Sequence, residues 1–495
     1  MLILLKNVSN SLSREPCQFY ALSMGLQSYF GLSEHGTTVR TELVAGLTTF
    51  FAMSYIIVVN PQILSAAISI EGYSDAEVFQ MIAIVTIITS AIAMVVMGLY
   101  ANRPFGLAPG LGLNAYFAFT VVGVGAGGLG VPWQTALAAV FVEGVIFILL
   151  TITGAREYII NLFPEPVKFA VGAGIGVFLL MIGLQELQVV VADEATLVTL
   201  GDIGSNPVAL LGALGAALIL ILWARGMTGA ILIGVITTAL AGYAATFAGL
   251  VGPGVLVDES VLTRLSEEGA VSLVTGIQYD ITPLAGAFLE GFSDIEPLTF
   301  GLVVLTFFFV DFFDTAGALI GVGQYGDFLD DDGKLPDINK PLMADGIGTT
   351  VGAMLGTSTI TTFIESSAGV EAGGKTGLTA LTVAGLFLLM LPFVSIAAAI
   401  PAYASFTALV VVGIIMFKGV ADIDWNDPAW SVPAALTVTV IPLTYSIANG
   451  IAVGIISYPI IKTMVDGRGD VSVGHWTMAA TLTVYFYIQT SGMLL

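Results

Sequence analysis

Long apolar stretches separated by short polar breaks run from Thr41 to the end of the chain. A stretch of roughly 17–25 such residues is long enough to cross the hydrocarbon core of a bilayer as a helix. On that criterion the pattern predicts about fourteen spans, clearest at Thr41–Leu64, Met81–Leu99, Trp133–Ile152, Val167–Leu184, Val208–Trp223, Ala230–Phe247, Leu298–Val322, Leu378–Pro392 and Phe406–Phe417. Between them lie shorter glycine-rich segments with less defined ends. Trp476–Leu495 is also apolar, but an even number of spans is complete without it, which predicts a C-terminal tail or an interfacial helix. The fold class is therefore an all-α polytopic membrane protein.

Weak internal echoes accompany this pattern. Thr48-Thr49-Phe50 is echoed by Thr306-Phe307-Phe308, Pro166 with Gly172, Gly174 and Gly176 by Pro401 with Gly413, and the Gly229–Gly234 run by Gly450–Gly454. Their common order predicts two halves of seven spans each, an arrangement of many secondary transporters. In such folds the paired interrupted segments mark discontinuous helices that meet near the midplane. The pair here is Arg103–Phe117, which carries Pro104, Pro109 and Asn114, and Gly356–Gly369, which carries a threonine-rich start and then Glu365. Each begins extended and then turns helix-forming. Asn114 and Glu365 sit near that transition, where the first N–H groups of a helix lack partners.

Composition agrees, with 56% hydrophobic and 10% charged residues. Lys and Arg accumulate in cytoplasmic loops. With the N-terminus inside, Arg103, Arg156, Lys168, Arg225, Lys334, Lys340, Lys375, Lys418, Lys462 and Arg468 fall on the cytoplasmic face, and Arg264 falls outside in a loop near 251–297. The net charge of −22 comes from acidic loops such as 258–259, 267–268 and 327–332. An acidic, lysine-poor surface suits a protein that works in molar salt, so a halophilic source is expected. Cys17 is the single cysteine, which leaves no intrachain disulfide or cysteine metal cluster. The first thirty residues lack the pattern of a cleaved signal peptide, and Met24 is a more sensible start than Met1.

Ionisable groups inside apolar spans are costly, roughly 2.5–3.5 kcal/mol on insertion scales, and usually mark a pathway. Asp311, Asp314 and Glu365 stand out, with Glu143 in the fourth span as a weaker candidate. Asp311 and Asp314 lie one turn apart on roughly one face. The match of Gly369–Thr376 to the G-x-x-x-x-G-K-[ST] phosphate loop is discounted, because that loop binds phosphate only between a strand and a helix of a soluble α/β domain. Two histidines and one cysteine give little material for an enzyme.

Four runs carry a family resemblance: Glu34–Glu42, Ala108–Phe119 (APGLGLNAYFAF), Phe309–Gly317 (FVDFFDTAG) and Thr361–Ala380 (TTFIESSAGVEAGGKTGLTA). From about Glu34 to Gly467 the chain resembles the AzgA-like purine permeases of the nucleobase:cation symporter 2 family, the xanthine/uracil permeases. Lys375 stands where that family often has arginine, and the acidic loops are extra. The resemblance implies fourteen spans in two inverted repeats and a core domain (34–160 and 298–397) that slides against a gate domain (161–250 and 398–467). Residues 1–33 would be a cytoplasmic extension, 251–297 an extracellular loop and 468–495 the tail or interfacial helix.

It also implies uptake of adenine, guanine or hypoxanthine across the cytoplasmic membrane by proton symport. Sodium is the alternative coupling ion, and pyrimidines, xanthine or an anion are alternative substrates. No cofactor, metal or nucleic acid is expected, and a homodimer is possible. A carboxylate and an amide can read a purine edge through paired hydrogen bonds, which suits Glu365 and Asn114. Phe363, Phe313, Phe117 and Tyr116 are candidates to cover the ring, with Ser366 and Thr315 beside them. Asp311 is favoured both as the inward substrate-binding residue and for proton coupling, by where the family's eighth-span acid falls. Asp314 and Glu365 stand with it, and the reverse assignment of the two aspartates stays open.

Overall fold

The computed structural model describes residues 25–123, 128–154, 163–269, 277–293, 295–330, 334–465 and 471–490. The extension before Gly25, with Cys17 and Met24, lies outside the described residues, as do Arg156 and Arg468.

Helix α1 (Val39–Met53) starts where the Thr38 side chain accepts the Thr41 N–H, and a break at Ser54-Tyr55 leads into α2 (Ile56–Leu64). Helix α3 (Asp75–Val96) opens with a reciprocal capping box between Ser74 and Glu77 and ends in a wider π-helical turn. Strand β1 (Leu107–Pro109) feeds α4 (Leu111–Ala115), which continues in π-helical turns to Val122. Then come α5 (Trp133–Thr153), α6 (Glu165–Glu186), the hairpin of β2 (Val190–Asp193) and β3 (Leu197–Leu200), α7 (Pro207–Ala224), α8 (Ala230–Phe247) and α9 (Glu259–Glu268). The second half follows with α10 (Pro297–Tyr325), α11 (Asn339–Leu355), β4 (Ile360–Thr362), α12 (Ser366–Glu371), α13 (Gly377–Leu389), α14 (Val394–Ala398), α15 (Ala402–Met416), α16 (Pro428–Leu443), α17 (Ile447–Val465) and α18 (Val473–Thr490). Among the described residues, ten helical stretches are long and apolar enough to cross a membrane.

The expectation of an all-helical chain needs one amendment. The β2–β3 hairpin is a small exposed antiparallel ribbon, turned by Asp193, which accepts the backbone N–H groups of Thr196 at 2.8 Å and Ala195 at 2.9 Å. The bonds from Thr196 and Ala195 hold the Asp193 carboxyl below the usual carboxylate range. The predicted outer loop is also more structured than its composition suggests. It carries the amphipathic α9 and a helical turn at Ala287–Phe292, whose Phe288 ring lies 4.6 Å from Phe141 on α5. The C-terminal apolar run forms α18, which lies along α17, with His475 edge-on to Tyr458 at 5.2 Å.

Helix packing brings together elements far apart in sequence. α5 packs along α11 and α10, α1 against α13 and α12, and α3 against α13 and α11. Elsewhere α6 packs on α15 and α16, α16 on α17, and α7 on α8 and α15. Clustered small residues such as Gly172, Gly174 and Gly176 let membrane helices approach closely. At Gly176 this is literal, since a Cβ there would stand 2.7 Å from the Gly413 carbonyl oxygen, while Gly172 faces open space.

The phosphate-loop pattern closes on a carboxylate of the protein itself. Glu42, fully buried on α1, accepts the backbone N–H of Lys375 at 3.0 Å and of Thr376 at 3.2 Å, together with the Thr379 hydroxyl at 2.6 Å. Successive N–H groups of this glycine-rich turn form an anion-binding concavity, and the Glu42 side chain fills it.

Candidate functional site

The two interrupted segments meet as a pair of antiparallel strands, with Leu107 opposite Thr362, Ala108 opposite Thr361 and Pro109 opposite Ile360. Prolines on one side and β-branched residues on the other favour the extended backbone. The join is reinforced where the Phe363 N–H donates to the Gly106 carbonyl at 2.9 Å, the Gly106 N–H donates to Ser366 Oγ at 2.9 Å, and the Gly110 N–H donates to the Thr359 carbonyl at 3.0 Å. Each strand then turns into a short helix, α4 or α12.

Glu365 is the residue before α12 and is half-buried. Its Oε1 accepts the Tyr55 hydroxyl at 2.6 Å, and Tyr55 is held rigid in the buried break between α1 and α2. Asp314, half-buried on α10, faces the Thr361 side chain of β4 and lies within electrostatic reach of Glu365. Two carboxyl groups and a phenol thus converge on one edge of the strand pair.

Asp311 and Thr315 lie one step further inside. Both are fully buried, and the Thr315 hydroxyl donates to Asp345 Oδ2 on α11 at 2.5 Å, with Asp311 Oδ1 at 3.4 Å. The same Asp345 oxygen accepts the Thr362 N–H at 3.2 Å. The geometry therefore places Asp314 beside Glu365 and sets Asp311 behind it in the buried interior.

Asn114 is fully buried on α4. Its side-chain carbonyl accepts the Ser358 hydroxyl and its amide donates to the Pro109 carbonyl at 3.5 Å, so it also ties the two interrupted segments together. Ser366 does the same through Gly106. Phe363 is buried beside Glu365 at the end of the strand pair. Tyr116 and Phe117 pack on Phe307, at 4.9 Å and 6.4 Å between ring centroids, and Phe313 packs on Phe163 at 5.5 Å within an aromatic cluster that includes Phe309 and Phe312. An apolar pocket lined by Leu302, Phe309, Ile451 and Met478 lies on the opposite face of α10 from Asp311, nine residues from Leu302 being two and a half helical turns.

Sequence reasoning missed Tyr55 and Asp345. A phenol next to Ser54 inside an otherwise apolar span was the available signal for Tyr55. Asp345 lay in a stretch too polar and glycine-rich to be read as a span.

Two interrupted helices joined through a strand pair, with carboxyl groups gathered at the joint, are an arrangement found in many membrane transporters. The fold is shared with the transmembrane domain of a cyanobacterium bicarbonate transporter, BicA, at a TM-score of 0.56 and 15% identity over 84% of this chain and 97% of that one. Residues 40–453 match the Xan_ur_permease model of the permease family, and the chain belongs to that family. Adenine permease AdeQ of Escherichia coli (strain K12) is 39% identical over 88% of this chain and 90% of its own. Guanine/hypoxanthine permease PbuO of Bacillus subtilis (strain 168) is 40% identical over 93% and 99%. The protein is a transporter and not an enzyme.

Proposed function

We propose that this permease takes up purine nucleobases across the cytoplasmic membrane by proton symport, with Glu365 as the residue that reads the purine edge. The observation that carries the reading is the placement of Glu365, a half-buried carboxylate at the joint of the two interrupted helices, oriented by Tyr55 and faced by Asp314. Carboxylates accept hydrogen bonds from ring N–H and amino donors, which purines present side by side. Names of relatives that transport adenine, guanine or hypoxanthine support the same substrate class. A fixed carboxylate pair disfavours an anionic substrate by repulsion, so the bicarbonate chemistry of the fold neighbour is not carried over. Asn114 and Ser366 hold the joint in shape, and Phe363 covers one side of the ring. Thr315 and Asp311 lie behind as the proton-coupling group, and Phe313 supports α10 through its aromatic neighbours.

The ten long spans, the shorter apolar helices Leu111–Val122 and Pro428–Leu443, the helix Asn339–Leu355 and the interrupted span that ends in α12 make about fourteen crossings. They divide into two inverted halves of seven. The group formed by α1 to α5 and α10 to α14 moves as a core against a gate of α6 to α8 and α15 to α17, and the N-terminus is cytoplasmic.

The test is uptake of labelled hypoxanthine, adenine and guanine in cells that lack their own purine permeases, competed with uracil and xanthine. Saturable uptake that collapses with a protonophore and is lost in Glu365→Ala is the expected result. Absence of purine uptake by folded, membrane-inserted protein overturns the reading.

A further inference from the structure

Behind the strand pair, three carboxyl groups from three helices meet in the buried interior: Glu143 from α5, Asp311 from α10 and Asp345 from α11, each with no exposed surface. Glu143 and Asp311 lie within hydrogen-bonding range of each other. Both carboxyl oxygens of Glu143, Oδ2 of Asp311 and Oδ1 of Asp345 have no donor hydrogen-bonded to them. The Thr359 hydroxyl, also fully buried, faces Glu143 from the interrupted tenth span. Donors that reach the cluster are the Thr315 hydroxyl, on Asp345 Oδ2 at 2.5 Å and 3.4 Å from Asp311 Oδ1, the Thr362 N–H on Asp345 Oδ2, and the Thr359 hydroxyl facing Glu143. Around Asp311 the facing titratable groups are Glu143, Asp345 and Asp314, with Glu365 and Tyr55 beyond Asp314, and no Lys, Arg or His is among them.

An ionised carboxylate is acceptor-only, so three ionised groups here would present six acceptor oxygens to three donors. Buried charges without partners cost several kcal/mol each, and a carboxyl O–H supplies the missing donor. A metal ion would satisfy them too, but among the described residues no three such side chains converge as metal ligands.

We infer that Glu143, Asp311 and Asp345 form a proton-binding site in which Glu143 and Asp311 share a proton. The site is wired to the substrate joint by the chain Asp311, Thr315, Asp345 and the Thr362 N–H. One threonine hydroxyl cannot donate to both aspartates at once, so a change in which carboxyl group holds the proton shifts the Thr315 bond between Asp311 and Asp345. That shift alters the grip of Asp345 on β4, which carries Thr361 and leads to Glu365. This deepens the proton-symport reading above and rests on it.

The experiment uses purified full-length protein in proteoliposomes, with labelled hypoxanthine, comparing wild type with Glu143→Gln and Asp345→Asn. Two transport readouts are taken, exchange without a gradient and accumulation driven by an imposed pH gradient, together with the infrared C=O stretch of protonated carboxylic acids. We expect Glu143→Gln to lower pH-driven accumulation about tenfold more than exchange, and to remove a protonated-carboxyl band that wild type shows at neutral pH. A packing role alone would lower both transport rates together and leave their ratio unchanged, which overturns the inference. Absence of a protonated-carboxyl band in the wild type also overturns it, even where the variants fail to fold. Wild type that exchanges no purine instead overturns the substrate reading, and the infrared result then decides the proton site by itself.

Discussion

Tyr55 separates the substrate role of Glu365 from a purely structural one. Its hydroxyl gives Glu365 a 2.6 Å hydrogen bond across 310 residues of chain, and its ring fills a buried break between α1 and α2. Tyr55→Phe keeps the ring and removes only the donor. A hydrogen bond to a charged acceptor is worth about 1.5–3 kcal/mol, so a carboxylate that loses its orientation should raise the purine KM about tenfold or more. Concentration-dependent hypoxanthine uptake measures this. An unchanged KM would mean that Glu365 does not touch the purine. The same scale explains why Asn114 is not a simple counterpart of Glu365 in the other half. Its carbonyl is already engaged by Ser358 and its amide by Pro109, so its first task is to join the two interrupted segments.

Among the elements, α6 and α15 approach closely through glycine. A Cβ at Gly413 would stand 2.5 Å from the Gly176 carbonyl oxygen and 2.7 Å from the Leu180 backbone nitrogen, contacts that backbone cannot yield. Gly413→Val should therefore cost about 1–3 kcal/mol or more in stability, seen as a lower Tm in detergent, while Gly172→Ala, inside the same helix as Gly176 and meeting nothing within 4 Å, should hold or raise Tm. The helices that run apolar for a whole bilayer thickness were readable from hydropathy, and the two interrupted segments from their proline- and threonine-rich starts. Helix Asn339–Leu355 was not, because Lys340, Asp345 and its glycines dilute the apolar signal although α5 covers it. The β2–β3 hairpin was equally hidden, since its turn rests on local hydrogen bonds to Asp193 and its strands are short. What no chain pattern reveals is the convergence of Glu143, Asp311 and Asp345, whose proximity exists only once α5, α10 and α11 pack together.

Across the whole molecule, the proposed motion is a slide of the core that carries the strand pair past the gate. The helix contacts that join them include α4 and α10 against α6, α1 against α8, α2 against α15 and α10 against α17. Where α4 meets α6, Gly112 lies against Ile175, and a Cβ built at Gly112 would stand 3.8 Å from the Ile175 Cβ. That spacing equals the mean Cβ separation of about 3.8 Å in disulfides. A Gly112→Cys/Ile175→Cys pair, placed in a Cys17→Ser background so that no other thiol competes, should therefore form a bond between core and gate upon oxidation. If α4 slides past α6 during the cycle, purine uptake by the oxidised protein falls to the background of cells without the carrier and returns with dithiothreitol, while purine binding to purified protein persists because the strand pair is untouched. Oxidised protein, with the crosslink verified by mass, that transports as fast as its reduced form would show that these two helices keep their register throughout transport, and the core-and-gate division would have to be redrawn.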